Sequence, residues 1–88
     1  MMTILRLDPN AIAWREIDGE ILALDIAASM YLSTNPAGAT LWRALAHGAS
    51  RDDLIELLLA EFDIDEARAT TDVETFVAEL ATHGLLAA

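Results

Sequence analysis

The chain contains no cysteine. A disulfide framework and thiolate chemistry are therefore excluded. Basic residues are scarce: five against fifteen acidic ones, a formal charge of −10. A field of that sign repels a phosphate backbone, so nucleic acid is not an expected partner, whereas a basic or amphipathic peptide would be attracted. No apolar run approaches the roughly 18 residues that a membrane span needs, and residues 1–10 lack the apolar core of a signal peptide. The expectation is a soluble, cytoplasmic protein with no membrane partner. Breaks are few, with two prolines and four glycines. What remains is 88 residues, 55% of them hydrophobic, which is one small domain, 1–88, apolar enough to fold despite its charge.

Residues 4–7 could pair as a strand, but Asp8-Pro9-Asn10 breaks them. Residues 12–17 alternate, with Ile12, Trp14 and Glu16 on one face. Asp18-Gly19 is a strong hairpin signal, a two-residue turn that favours positive φ. Residues 20–25 return as a second strand, whose run Ile21-Leu22-Ala23-Leu24 suggests burial on both faces. Residues 29–33 form a third strand after a weak turn at Ile26-Ala27-Ala28. Two consecutive hairpins make a meander, so the third strand has one side paired and one side open.

Three helices follow. Thr34 or Asn35 can cap the first, Pro36 fits its first turn, and Gly48 closes it. Ser50 caps the second, with Asp53 three residues on as a capping box. Its residues Leu54, Ile55, Leu57, Leu58, Leu59 and Phe62 leave little polar surface and predict a deeply packed helix. Asp65 caps the third, over 66–82, where Ala69, Val73, Phe76, Val77 and Leu80 form a buried stripe. The order predicts an α+β domain of winged helix-turn-helix type, a three-stranded antiparallel sheet followed by three α-helices.

Catalytic signals are weak. His47 and His83 lack a second ligand at helical spacing, and Asp63-x-Asp65 with Glu66 lacks the glycine and terminal glutamate of a calcium loop, so no metal is expected. Ser29, Ser33 and Ser50 have no His–Asp set nearby, and no glycine-rich loop would cradle a phosphate. The chain reads as a non-enzyme without a cofactor. One stretch, from Gly48 to Ile64, resembles the acidic helix of acyl or peptidyl carrier proteins and would make Ser50 a modification site. The Asp-Ser-Leu signature of those carriers is absent. DNA binding by the third helix is disfavoured by Glu66, Asp72, Glu74 and Glu79 against a single Arg68.

Peptide binding fits better. On the third helix, Asp65, Ala69, Asp72, Phe76, Glu79 and His83 follow one flank of the buried stripe. If that flank faces the third strand, the two make a groove with an open backbone edge, an apolar floor and an acidic rim. An extended peptide could add there as a fourth strand. A merely short, protected edge beside an ordinary core stripe remains the simpler alternative.

Over residues 14–86 the sequence resembles the PqqD-like family. The resemblance is carried by Leu24-Asp25, Tyr31, Asn35-Pro36-Ala37-Gly38-Ala39, Leu41-Trp42, Leu45 and Gly48. It continues in Asp72-Val73-x-x-Phe76-Val77-x-x-Leu80 and Gly84-Leu85-Leu86. It implies a recognition element for ribosomally made, modified peptides, of the stand-alone type found in lasso peptide biosynthesis. Such an element binds the leader segment of a precursor and delivers it to a separate leader peptidase or other modifying enzyme. A peptide chaperone of pyrroloquinoline quinone synthesis is a close alternative. The family's leader docks between strand three and helix three. That maps the peptide-binding residues to Ser29, Met30, Tyr31, Leu32 and Ser33 on one side and to Ala69, Asp72, Val73, Phe76, Glu79 and Leu80 on the other. Met30 and Leu32, or Tyr31 on the opposite face, would line the pocket beside Val73, Phe76 and Leu80, the pleat deciding which set faces inward. Asp72 and Glu79 would pair with a basic leader residue, and Tyr31 and Trp42 are expected in the core rather than in contact. Proline at Met30 or Leu32 should weaken binding by removing ladder donors. Two departures stand out: Ala28-Ser29 replaces the family's glycine before strand three, and Thr34 replaces its leucine before Asn35.

Overall fold

The computed structural model describes residues 3–87, so the ends of the expected 1–88 domain lie outside it. Strands β1 (Ile12–Ile17), β2 (Glu20–Asp25) and β3 (Met30–Ser33) precede helices α1 (Pro36–His47), α2 (Arg51–Glu61) and α3 (Glu66–Thr82). The sheet is antiparallel in the order β1-β2-β3, so β3 is an edge strand, as is β1.

Local chemistry explains the corners. Asp18 and Gly19 both take positive φ, 52° and 82°, which the two-residue hairpin requires. At the next turn the buried Asp25 carboxylate accepts the Ala28 N–H at 3.2 Å. Ser29 itself adopts the left-handed conformation, φ 54°, where the family has glycine. Serine holds this conformation at a steric cost, and β3 starts at Met30.

The helices begin where their caps predict. Asn35 Oδ1 accepts the Gly38 N–H at 2.7 Å, with Pro36 in the first turn. A Cβ at Gly38 would lie 3.1 Å from both Asn35 Oδ1 and the Thr34 Cβ, so the Asn-x-x-Gly spacing lets the cap fold tightly over the helix start. Ser50 and Asp53 form a reciprocal capping box, and Asp65 accepts from the Arg68 N–H.

One face of the sheet packs on the helices. Ile12, Ile21 and Ala23 meet Leu41, Trp42, Leu45, Leu54, Leu58, Val73 and Val77 in a single core. The opposite face stays open. Leu22 is exposed and Leu24 only half-buried, so the apolar run of β2 is not covered on both sides. Likewise α2 buries only Leu54 and Leu58, and Leu59 is exposed. A domain this small has no second layer to cover either surface.

Residues 4–7 do pair, but outside the sheet. Leu5 bridges Ala49, and Leu7 bridges Leu86. Asp8 N–H donates to the Leu85 carbonyl, and Ala87 N–H to that of Arg6, both at 2.8 Å. This clasp joins the two ends of the described chain, and none of the described residues pairs with the outer edge of β3.

Candidate functional site

Which backbone groups of β3 are free follows from the register. The two-residue turn makes Ile17 and Glu20 a hydrogen-bonded pair, and such pairs alternate along an antiparallel ladder. Glu20, Leu22 and Leu24 therefore bond to β1. The Ile26 N–H, which continues this parity, donates to the Ala11 carbonyl at 3.0 Å. Ile21, Ala23 and Asp25 then face β3, where Ala23 is paired with Leu32 and Asp25 with Met30. Met30 and Leu32 thus use their main-chain groups inside the sheet. Tyr31 and Ser33 point theirs outward, at the open edge. Proline at Met30 or Leu32 would consequently break the protein's own ladder, and Tyr31 is the position that tests the edge.

Side chains alternate in the opposite sense. Leu32 shares a face with Ala23 and turns toward the helices, half-buried. Met30 is on the same face but half-exposed at the strand's start. Tyr31 is 72% exposed on the outer face, beside Ala13, Arg15, Leu22 and Leu24. Its expected place in the core is therefore corrected, because a strand residue whose partner is Leu24 cannot also face the helices. Trp42 is in the core at 1% exposure and meets Trp14 edge-on, with centroids 6.2 Å apart.

Beside β3 runs a cleft of about 120 Å³, lined by Leu32, Ser33, Thr34 and Trp42 on one side and by Phe76, Glu79, Leu80 and His83 on the other. A second cleft of about 250 Å³ lies between the start of α1 and α3, where Asn35, Gly38 and Leu41 oppose Arg68, Asp72, Phe76 and Glu79. Phe76 and Glu79 border both, so the two hollows follow α3 as one interrupted trough.

The structure sorts the residues named from sequence. Leu32, Ser33, Phe76, Glu79 and Leu80 come together at β3, and Tyr31 adds its main chain. Asp72 lies in the α1-side cleft, and Arg68 Nε contacts both its carboxylate oxygens, at 3.0 and 3.2 Å. Its charge is already matched within the helix. Glu79 makes no ion pair among the described residues. Ala69 and Val73 are fully buried and sit behind the trough as support. Asp65 caps α3, and Ser29 belongs to the turn. Asn35, Gly38 and Leu41 were not named as lining residues. Asn35 and Gly38 are marked in the sequence by the cap spacing, and all three by the motif that carries the family resemblance, but neither signal points to a cleft.

Ser50 is 2% exposed, and its Oγ accepts the Asp53 N–H at 3.1 Å. A buried cap cannot present its hydroxyl for modification, so Ser50 lacks the accessibility that the carrier alternative requires. Among the described residues no group of three His, Asp or Glu side chains could hold a metal ion, and no helix is long and apolar enough to cross a membrane.

Two solved structures share the fold. One, TbiB1 in complex with the TbiA(beta) leader peptide, is 23% identical with a TM-score of 0.83, and the match covers 92% of this chain and 93% of that one. The other, a lasso peptide synthetase B1 complexed with the leader peptide, is 25% identical with a TM-score of 0.80 and coverage of 96% and 98%. No curated protein matches the chain. The family model described as coenzyme PQQ synthesis protein D (PqqD) matches residues 20–86, and the chain belongs to that family.

Proposed function

We propose that this protein binds the leader segment of a ribosomally made precursor peptide and presents it to a separate processing enzyme, with no catalytic step of its own. The leader adds to β3 as a fourth strand. Main-chain groups of Tyr31 and Ser33 hold its backbone. Leu32, Phe76 and Leu80 receive its side chains, and Glu79 attracts a basic residue at the rim. Met30 and Ser29 border the entry, Ala69 and Val73 fix the floor, and Asp72 orders Arg68 at the far end of the trough.

The observation that carries this reading is an open row of main-chain donors and acceptors beside a trough of mixed apolar and acidic lining. Both solved relatives hold a leader peptide on the same fold, and family membership adds to this support. The processing enzyme is a leader peptidase of the lasso type. A second reading, a peptide chaperone for a quinone cofactor pathway, is favoured by the family's description. The two differ in the enzyme served and share the binding step.

Fluorescence anisotropy tests that step; the reading expects a short precursor gene beside this one, and its labelled N-terminal segment is the probe. Saturable binding to folded protein is expected. Absence of binding overturns the reading. A leader peptidase of the same pathway should cleave the precursor faster when the protein is added, and an unchanged rate would remove the delivery role.

A further inference from the structure

Two side chains lining the β3–α3 cleft break a rule that the other buried polar side chains among the described residues obey. Buried polar groups are nearly always hydrogen-bonded. The buried side chains of Asp25, Thr40 and Ser50 all conform. Two buried polar atoms among the described residues have no partner: the Thr34 hydroxyl and the Trp42 indole Nε1. Both residues line this same cleft, whose other walls include Leu32, Phe76, Leu80 and Leu85. Trp42 is 1% exposed, so its N–H is closed off from bulk water.

We propose that Thr34 and Trp42 form a polar subsite that selects the guest side chain entering the cleft. This rests on strand addition at β3 and specifies what that strand must carry. The inserted side chain is uncharged and ends in an amide or hydroxyl oxygen.

Elimination leads to this chemistry. An indole N–H only donates, so the guest must accept. Lysine and arginine are donors without acceptors and fail. A carboxylate could accept, but it would be desolvated beside Glu79 at the rim. An aliphatic or phenyl side chain leaves both atoms unpaired. An amide oxygen takes the indole N–H while its NH₂ donates to Thr34 Oγ1, and a hydroxyl can likewise serve both. The volume of about 120 Å³ admits one such side chain. Both polar atoms are covered in the free protein, so docking must expose them to the guest.

Parallel selection of a displayed library of random dodecapeptides on the wild type, Thr34→Val and Tyr31→Pro tests the proposal. The wild type should enrich Asn, Gln, Ser, Thr or Tyr at one position. In synthetic peptides, replacing that residue by its apolar counterpart should weaken wild-type binding about fivefold, the equivalent of one hydrogen bond. The same replacement should cost markedly less against Thr34→Val. That variant is nearly isosteric and should keep or raise the melting temperature of the free protein, because it removes an unpaired buried hydroxyl. The Trp42 indole N–H proton resonance, assigned with Trp14→Phe, should move downfield as the selected peptide binds. Aliphatic or phenyl enrichment would overturn the proposal while leaving strand addition intact. So would equal peptide costs in wild type and Thr34→Val. If the selected peptides bind Tyr31→Pro as well as wild type, strand addition fails, and this inference fails with it.

Discussion

Tyr31→Pro isolates the open edge from the rest of the sheet. The Tyr31 N–H points away from β2, so its loss leaves the internal ladder intact. Its side chain is 72% exposed and contributes little packing. The preceding residue, Met30, is already extended, as a residue before proline must be. Proline is tolerated on edge strands, and the expected loss of folding stability is below about 1 kcal/mol. The edge offers one N–H and one C=O from each of Tyr31 and Ser33. At about 0.5–1.5 kcal/mol per bond, a guest strand gains roughly 2–6 kcal/mol from them. Proline deletes one donor, and its ring stands in the guest's line of approach. The expected loss is about 1–3 kcal/mol, or roughly 5- to 150-fold in affinity. Anisotropy with a labelled leader measures this, and a circular dichroism melt verifies the fold. Glu16→Pro is the matched control, since by the same parity its N–H lies on the free edge of β1. That edge also has a hollow near it, lined by Arg6, Leu7, Pro9, Ile12, Trp14, Ala46 and His47. Unchanged affinity in folded Tyr31→Pro would refute the reasoning. A loss confined to Glu16→Pro would move the guest to the other side of the sheet.

Other consequences are more local. Ser29→Gly relieves a left-handed serine at φ 54° and should stabilise the fold by about 0.5–1 kcal/mol, visible as a melting temperature raised by several degrees. Ser50→Ala removes a buried cap and its reciprocal bond, and a denaturant melt should show a loss of about 1–2 kcal/mol. Wild-type protein incubated with a phosphopantetheinyl transferase should gain no mass at Ser50. Glu79→Gln should weaken a basic leader by up to about 1 kcal/mol and flatten the salt dependence of binding. Asp72→Asn should do so less, because Arg68 already faces that carboxylate; anisotropy over a salt series separates the two.

What could be read from sequence was chemistry contained within a few residues. The Asp18-Gly19 turn, the Ser50/Asp53 capping box and the Asn35 cap each bring donor, acceptor and backbone geometry together in one stretch. The six elements followed, and with them the edge position of β3. The facing of β3 did not, because a strand of four residues has no apolar alternation strong enough to distinguish Tyr31 from Leu32. The partners of residues 4–7 are more than forty positions away at Ala49 and near eighty at Leu86, beyond any local signal. The leucines of α2 misled because composition does not say how many layers cover a helix. The Arg68–Asp72 pair was available at i, i+4 spacing.

An edge strand able to take a guest can equally take its twin. Two copies meeting β3 to β3 across a two-fold axis would satisfy the same amides and carbonyls that a leader would. Each copy carries a charge of −10, and like-signed molecules must work against that repulsion to come close. The surplus of carboxylates thus guards the vacant edge against self-pairing while drawing in ligands of opposite sign.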